Sequence, residues 1–151
     1  MRFHLCAVGR KMPDWVDAGF ADYARRMPGG ARLELHAVAT ARQGGDDPAR
    51  ARADEARRLR AVVPGRARMI ALDVGGRALT TEDLAEQAAE WNRTGAEIAF
   101  LVGGPEGLDE GLLGEAAERW SLSRLTLPHA LVRVVLAEQL YRALSIVHNH
   151  P

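Results

Sequence analysis

Cysteine is nearly absent from this 151-residue chain, with Cys6 standing alone. A single thiol excludes an internal disulfide framework and a thiolate zinc site. A reducing cytoplasm is the expected location. Long apolar runs are also missing, and none approaches the ~20 residues of a membrane-spanning helix. The apolar stretch from Phe3 to Val8 is too short for a secretory signal, and Arg10-Lys11 follows it closely, so it reads as a first buried strand. Net charge is zero, which argues against a protein that coats nucleic acid nonspecifically. Several motifs are lacking too. No Gly-Lys-Ser/Thr closes a glycine-rich loop and no GxGxxG occurs, which disfavours kinases and dinucleotide enzymes. No GxSxG elbow is present, which disfavours a serine hydrolase.

What is present is a core. Hydrophobic residues make up 47% of the chain, too many for a disordered tail or linker. The length fits one domain over residues 1–151, able to bury roughly 70% of its unfolded surface. The charge is uneven. Residues 1–68 carry 14 Lys/Arg against 8 Asp/Glu, and residues 69–151 carry 6 against 12. Such asymmetry suits an anionic partner on one face, or an arginine-rich solvated helix. Lys11 is the only lysine among 20 basic residues, and the arginine preference receives no functional assignment.

Five strand-like runs alternate with five helix-like runs. Phe3 to Val8 reads as a buried strand. Asp14 is placed to cap a helix carrying Val16, Phe20, Tyr23 and Met27, stopped by Pro28-Gly29-Gly30. Leu33, Leu35 and Ala37 alternate with Arg32, Glu34 and His36, as in a half-buried strand. Gln43 to Pro48 reads as a loop and Ala49 to Val63 as a helix. Arg68 to Val74 predicts a strand, and Gly75-Gly76 a turn. Thr80 with Asp83 resembles a capping box for a helix bearing Leu84, Ala88 and Trp91 and ending near Gly95. Glu97 to Val102 is the most apolar strand. A short helix is expected from about Asp109 to Glu118, a strand from Leu122 to Leu127, and a long helix from Pro128-His129 to about Val147. This alternation implies an α/β fold with a mostly parallel sheet.

In open α/β sheets, ligands bind beyond the carboxyl ends of the strands. Three such ends stand out: Leu72 to Gly76, Leu101 to Gly107 and Leu122 to His129. Gly103 and Gly104, directly after a buried strand, would let backbone approach a ligand closely. The third segment could bind an adenine ring through its main chain, with leucines on the ring faces. His129 and Arg133 are four apart and share a helix face expected to look toward the cleft. Glu138 and Arg142 repeat that spacing, as in a surface ion pair. His148 and His150 have neither a cysteine nor paired carboxylates nearby, so no metal site is expected.

Several segments together resemble the RlmH family of SPOUT methyltransferases. They are Ala7 to Trp15, Leu101 to Leu108, Trp120 to Ser123 with Leu125 to His129, Leu131 to Val134, Ala137 to Ala143, and Asn149-His150-Pro151. They run in order from end to end of the chain. The resemblance implies a parallel-sheet SPOUT fold with a C-terminal deep trefoil knot. It also implies a homodimer whose last helices meet and whose active sites draw on both subunits. S-adenosyl-L-methionine (SAM) would bind in the knot, against Leu72, Gly103, Gly104, Leu122, Ser123, Arg124, Leu125, Thr126 and Leu127. The implied reaction is methylation at N3 of a pseudouridine in 23S rRNA of the assembled ribosome. His129 and Arg133 are the candidates for holding the base, a phosphate or developing charge, and Arg142 for supporting the cofactor or the partner subunit. No metal and no membrane enter this reading.

One departure sets the alternative. Family members continue past Asn-x-Pro with Tyr, His and Arg or Lys, where this sequence stops at Pro151. If that tail is naturally lacking, the expectation is a noncatalytic SAM- or RNA-binding dimer. If the sequence is a truncated record, the enzymatic reading stands. A flavodoxin-like signalling module is a third class. It lacks its acidic cluster, because Gly9-Arg10-Lys11 follows the first strand.

Overall fold

A computed structural model describes residues 1–41 and 47–149 of the chain. Five strands and five α-helices alternate: β1 (Arg2–Val8), α1 (Asp14–Arg25), β2 (Arg32–Val38), α2 (Pro48–Val62), β3 (Arg68–Ala78), α3 (Thr81–Thr94), β4 (Glu97–Val102), α4 (Glu110–Glu115), β5 (Glu118–Ser121) and α5 (His129–Val147). The strands form one sheet in the order β2-β1-β4-β3-β5, and every pairing is parallel. The connections β1 to β2 and β3 to β4 step one way across the sheet, and their helices lie on one face. The connections β2 to β3 and β4 to β5 step the other way, and their helices lie on the opposite face. A single crossover hand requires this division.

Strand alternation supplies two cores. Phe3, Leu5 and Ala7 of β1 and Ile98, Phe100 and Val102 of β4 face α1, α3 and α5. Cys6, Val8, Ala99 and Leu101 face α2 and α4, meeting Ala56, Leu59, Leu112 and Leu113. Desolvation pushes the Cys6 thiol up to about 12, so it packs as a small apolar group. On the first face an aromatic cluster joins helix to sheet. Trp91 of α3 stacks on Trp120 of β5 with ring centroids 5.7 Å apart, and both contact Phe100.

Local boundaries depart from the sequence pattern in five places. Asp14 is the first residue of α1 rather than its cap. Pro13 holds the cap position, and no side-chain bond closes it. The short helix α4 ends at Glu115, because Glu118 already pairs in β5; Asp109 caps it, accepting from Leu112 N at 3.1 Å. Gly75-Gly76 do not end β3. Leu72 and Arg77 both oppose Trp120, so Asp73 to Gly76 bulge out and the strand then resumes. An added Cβ at Gly76 would sit 2.7 Å from the Arg119 and Trp120 backbone, so only glycine allows that approach. The strand expected over Leu122 to Leu127 is instead Glu118–Ser121. The later residues are irregular, because Ser123 carbonyl and hydroxyl oxygens accept from Ser121 Oγ and Leu125 N, both at 2.9 Å. In the expected loop, Asp47 caps α2, accepting from Arg50 N, and Pro48 begins it. Gln43 to Asp46, and the final His150 and Pro151, lie outside the described residues.

The capping box on α3 is present as its spacing predicts. Thr80 Oγ accepts from Asp83 N, and the Asp83 carboxylate accepts from Thr80 N, both at 3.0 Å. Replacing Thr80 by Ala should destabilise the domain by about 1 kcal/mol in urea unfolding. The Thr80 backbone N–H holds the Asp83 carboxyl below its usual range. Its stabilising contribution should therefore be complete above about pH 4 and fade as the pH falls through the lowered value. Asp83→Asn should flatten that acid limb of a stability-versus-pH curve.

Candidate functional site

The bulge of β3 and the carboxyl ends of β4 and β5 open into one cavity of about 330 Å³, inside the size range of small-molecule sites. Three segments build it. The β3 bulge and the residue before it contribute Leu72, Asp73 and Val74. The loop after β4 contributes Gly103, Gly104, Pro105 and Gly107. The irregular segment after β5 contributes Leu122, Ser123, Leu125 and Leu127, and the start of α5 adds His129 and Val132. The lining is mainly apolar, with the Asp73 carboxylate, Ser123 and His129 at intervals. That composition suits a flat, partly apolar molecule with a few polar contacts.

The β4 loop is locked by its own backbone. Gly107 N donates to Gly104 O at 3.0 Å, and the two residues bridge as antiparallel partners. Gly103 lies beneath that turn. A Cβ there would sit 2.6 Å from the Gly107 carbonyl and 2.9 Å from Leu108 N. Gly104 is less confined, its nearest neighbour being a Val8 methyl at 3.1 Å. Behind the loop, Glu55 of α2 is buried, and its carboxylate accepts from Ala41 N at 2.9 Å. At the mouth, the Asp73 carboxylate accepts from Gly75 N at 3.2 Å and holds the bulge of β3 in place.

The structure brings together seven of the nine residues expected at the cofactor: Leu72, Gly103, Gly104, Leu122, Ser123, Leu125 and Leu127. Arg124 and Thr126 belong to the same segment and are exposed, but they do not line the cavity. His129 lines the cavity. Arg133 does not join it, although both lie on one side of α5. Its side chain is 1% exposed and turns toward β1, where Nη2 donates to Val8 O at 3.2 Å and Gly9 O at 2.5 Å. Burial lowers its tendency to hold a proton, and Asp17 partly offsets this. Among the described residues no carboxylate forms an ion pair with it, and its Nε has no partner. Arg142 is thirteen residues further along α5, about 20 Å from His129. It pairs with Glu138 at 2.9 Å in a separate surface groove with Thr81 and Tyr141. His129 and Arg142 of one chain therefore cannot act on one small molecule.

Sequence reasoning singled out the end of β3 but chose only Leu72 there. Asp73 and Val74 also line the cavity, as do Ser121 and Val132. The signal for Asp73 was its place at a strand terminus. For Val132 there was none, because its neighbour Arg133 held the chemistry.

A doubly covered parallel sheet with a cavity at a glycine-rich strand end defines a class: an α/β domain that binds a small, partly apolar ligand above its strands. The comparison with known proteins is narrower. The family model described as "Predicted SPOUT methyltransferase" matches residues 1–151, and the chain belongs to that family. A protein of Methylococcus capsulatus named "Ribosomal RNA large subunit methyltransferase H" is 49% identical over 152 residues, covering 100% of this chain and 98% of the relative. Proteins of the same name from Thiobacillus denitrificans and Bordetella avium are 50% and 49% identical, each covering 100% of this chain and 97% of the relative.

Gly103→Ala should cost about 2–3 kcal/mol, because backbone rather than a flexible side chain must give way. Gly104→Ala should cost less, and denaturant midpoints of the two variants would rank them. Arg133→Ala should lose about 3 kcal/mol through two charge-assisted bonds and their packing, read in the same measurement.

Proposed function

We propose that the chain is a SAM-dependent methyltransferase that modifies large-subunit ribosomal RNA, at N3 of a pseudouridine in 23S rRNA of the assembled ribosome. The observation that carries this reading is the cavity at the β3 bulge and the ends of β4 and β5, in a chain of the SPOUT methyltransferase family. The relatives' shared name supplies the substrate class. Those relatives match along the whole chain and are named as enzymes, so the noncatalytic alternative is not favoured.

The residues present fit SAM. Leu72, Leu122, Leu125 and Leu127 offer apolar walls for an adenine ring, and the backbone of Gly103, Gly104 and Leu122 to Leu127 offers donors and acceptors at its edge. Asp73 and Ser123 are placed for hydroxyl or amino groups. Arg124 and Thr126 would contribute through main chain alone. When bound, SAM supplies a methyl group on a positively charged sulfur, already activated for transfer. The chain's part is then to orient the acceptor and exclude water. His129, at the amino end of α5 where backbone N–H groups point outward, would hold the base, a phosphate or charge developing on the ring. Arg133 would act by position, fixing the first turns of α5 against the end of β1. The basic first half, for example exposed Arg50 of α2, would meet flanking phosphates.

We infer a homodimer with α5 in the interface. That helix is apolar on most sides: it buries Leu136, Leu140 and Leu144 inward and leaves Ile146 49% exposed. Arg142 would then serve the partner subunit's site. The C-terminal knot belongs to the same proposal. The segment after β5 crosses the ends of β3 and β4 beside the Gly103–Gly107 loop before α5 reaches β1. No helix among the described residues is long and apolar enough to cross a membrane, and a cytoplasmic setting completes the reading.

Labelled methyl transfer from SAM to ribosomes lacking the modification tests it. The chain should label 23S rRNA, and His129→Ala should reduce turnover by about 100-fold while SAM still binds. Arg142→Ala should lower turnover, and mixing it with a Gly103→Ala chain should restore part of the activity through hybrid dimers. SAM binding without any transfer, with or without an added Tyr-His-Arg tail, would overturn the enzymatic reading.

A further inference from the structure

The opposite end of the sheet carries a polar cluster that the cavity does not use. His4 of β1 pairs in register with Glu34 of β2, and Cys6 with His36, so all three polar side chains share the α2 side of the sheet. His4 is 3% exposed. Its Nε2 lies 2.6 Å from a Glu97 carboxylate oxygen and its Nδ1 3.0 Å from His36 Nε2. A Glu34 carboxylate oxygen is 3.9 Å from that same His36 nitrogen. One ligand atom each from His4, Glu34 and His36 falls within 4.8 Å of the others. The surrounding face is apolar, built from Cys6, Val8, Ala99 and Leu101. For packing alone, an aliphatic residue at position 4 would avoid desolvating an imidazole.

We propose that His4, His36 and Glu34 bind a divalent transition-metal ion of the zinc class, with Glu97 as the carboxylate behind His4. The arrangement of His4 is the strongest argument. A ligating histidine directs one ring nitrogen at the metal and donates the other N–H to a carboxylate, which fixes its tautomer. Glu97 takes that second role, which frees the Nδ1 lone pair on the side of His36 and Glu34. Two imidazoles and one carboxylate suit zinc, cobalt, nickel or copper, whereas magnesium and calcium prefer oxygen donors.

The geometry requires little movement. With metal–nitrogen bonds of about 2.05 Å, nitrogens 3.0 Å apart subtend roughly 94°, and opening them to about 3.3 Å gives a tetrahedral angle. His36 sits on the edge strand β2 and is partly exposed, so its ring can turn to share an ion. The Glu34 carboxylate, 45% exposed, can close on the same point, and water fills the remaining position. The bound ion ties the edge strand to the centre of the sheet. The site lies toward the amino ends of the strands and does not depend on the methyl-transfer reading.

The untagged 151-residue chain, stripped with chelator, would be titrated with Zn²⁺ by calorimetry and with Co²⁺ by visible absorption. One equivalent should bind, with Co²⁺ giving the ligand-field bands of a site containing nitrogen donors. Glu97→Gln should weaken binding by about tenfold at unchanged stoichiometry. His36→Ala should weaken it by more than the roughly 100-fold typical of an outer partner. Glu34→Gln, at an exposed side chain, gives a second reading if the histidine variant folds poorly. His148→Ala should leave binding intact. Failure to bind one equivalent, or binding that survives both His36→Ala and Glu34→Gln, would overturn the proposal.

Discussion

The buried guanidinium of Arg133 joins the last helix to the first strand, and the geometry above the sheet depends on it. It donates to the carbonyls of Val8 and Gly9, just past the last register partner of β1 on β4. A charge this deeply buried, with no carboxylate in ion-pair contact among the described residues, is costly, and the carbonyl dipoles compensate for only part of its lost hydration. The contact is placed to hold α5 in one register along the sheet. His129, one turn earlier on the same helix, lines the cavity together with the segment after β5.

The cavity is walled by backbone more than by charged side chains. The Gly104–Gly107 turn closes over Gly103, the Ser123 hydroxyl organises the leucine segment, and Asp73 holds the bulge of β3. Each of these contacts is local, so each segment keeps its shape without a ligand. Such local locking suits the proposed role of aligning two reactants. The stacked Trp91 and Trp120 join α3 to β5 on the other face of the sheet from α2.

The two ends of the sheet use opposite chemistry. The carboxyl ends present glycines, leucines and main chain, suited to a nucleoside-like molecule. The other end, on the α2 side, gathers His4, His36, Glu34 and Glu97, hard and borderline donors suited to an ion. Both follow from one parallel register, because in-phase strands stack equivalent positions side by side.

By itself the sequence determined the α/β class, nine of the ten strands and α-helices, the α3 capping box and the three segments that line the cavity. These depend on local periodicity, turn residues and strand termini, which a linear pattern carries. The multi-segment resemblance carried the family, which the comparison then established. Tertiary structure alone decided three things. It turned Arg133 away from the cavity, because the carbonyls that attract it belong to residues more than 120 positions earlier. It moved the last strand to Glu118–Ser121, because pairing with β3 outweighed the apolar run that follows. It also assembled His4 with His36 and Glu97, since strand order places positions 4, 36 and 97 on neighbouring strands. Long-range pairing is invisible to spacing, and it is where this protein's charged side chains acquire their partners.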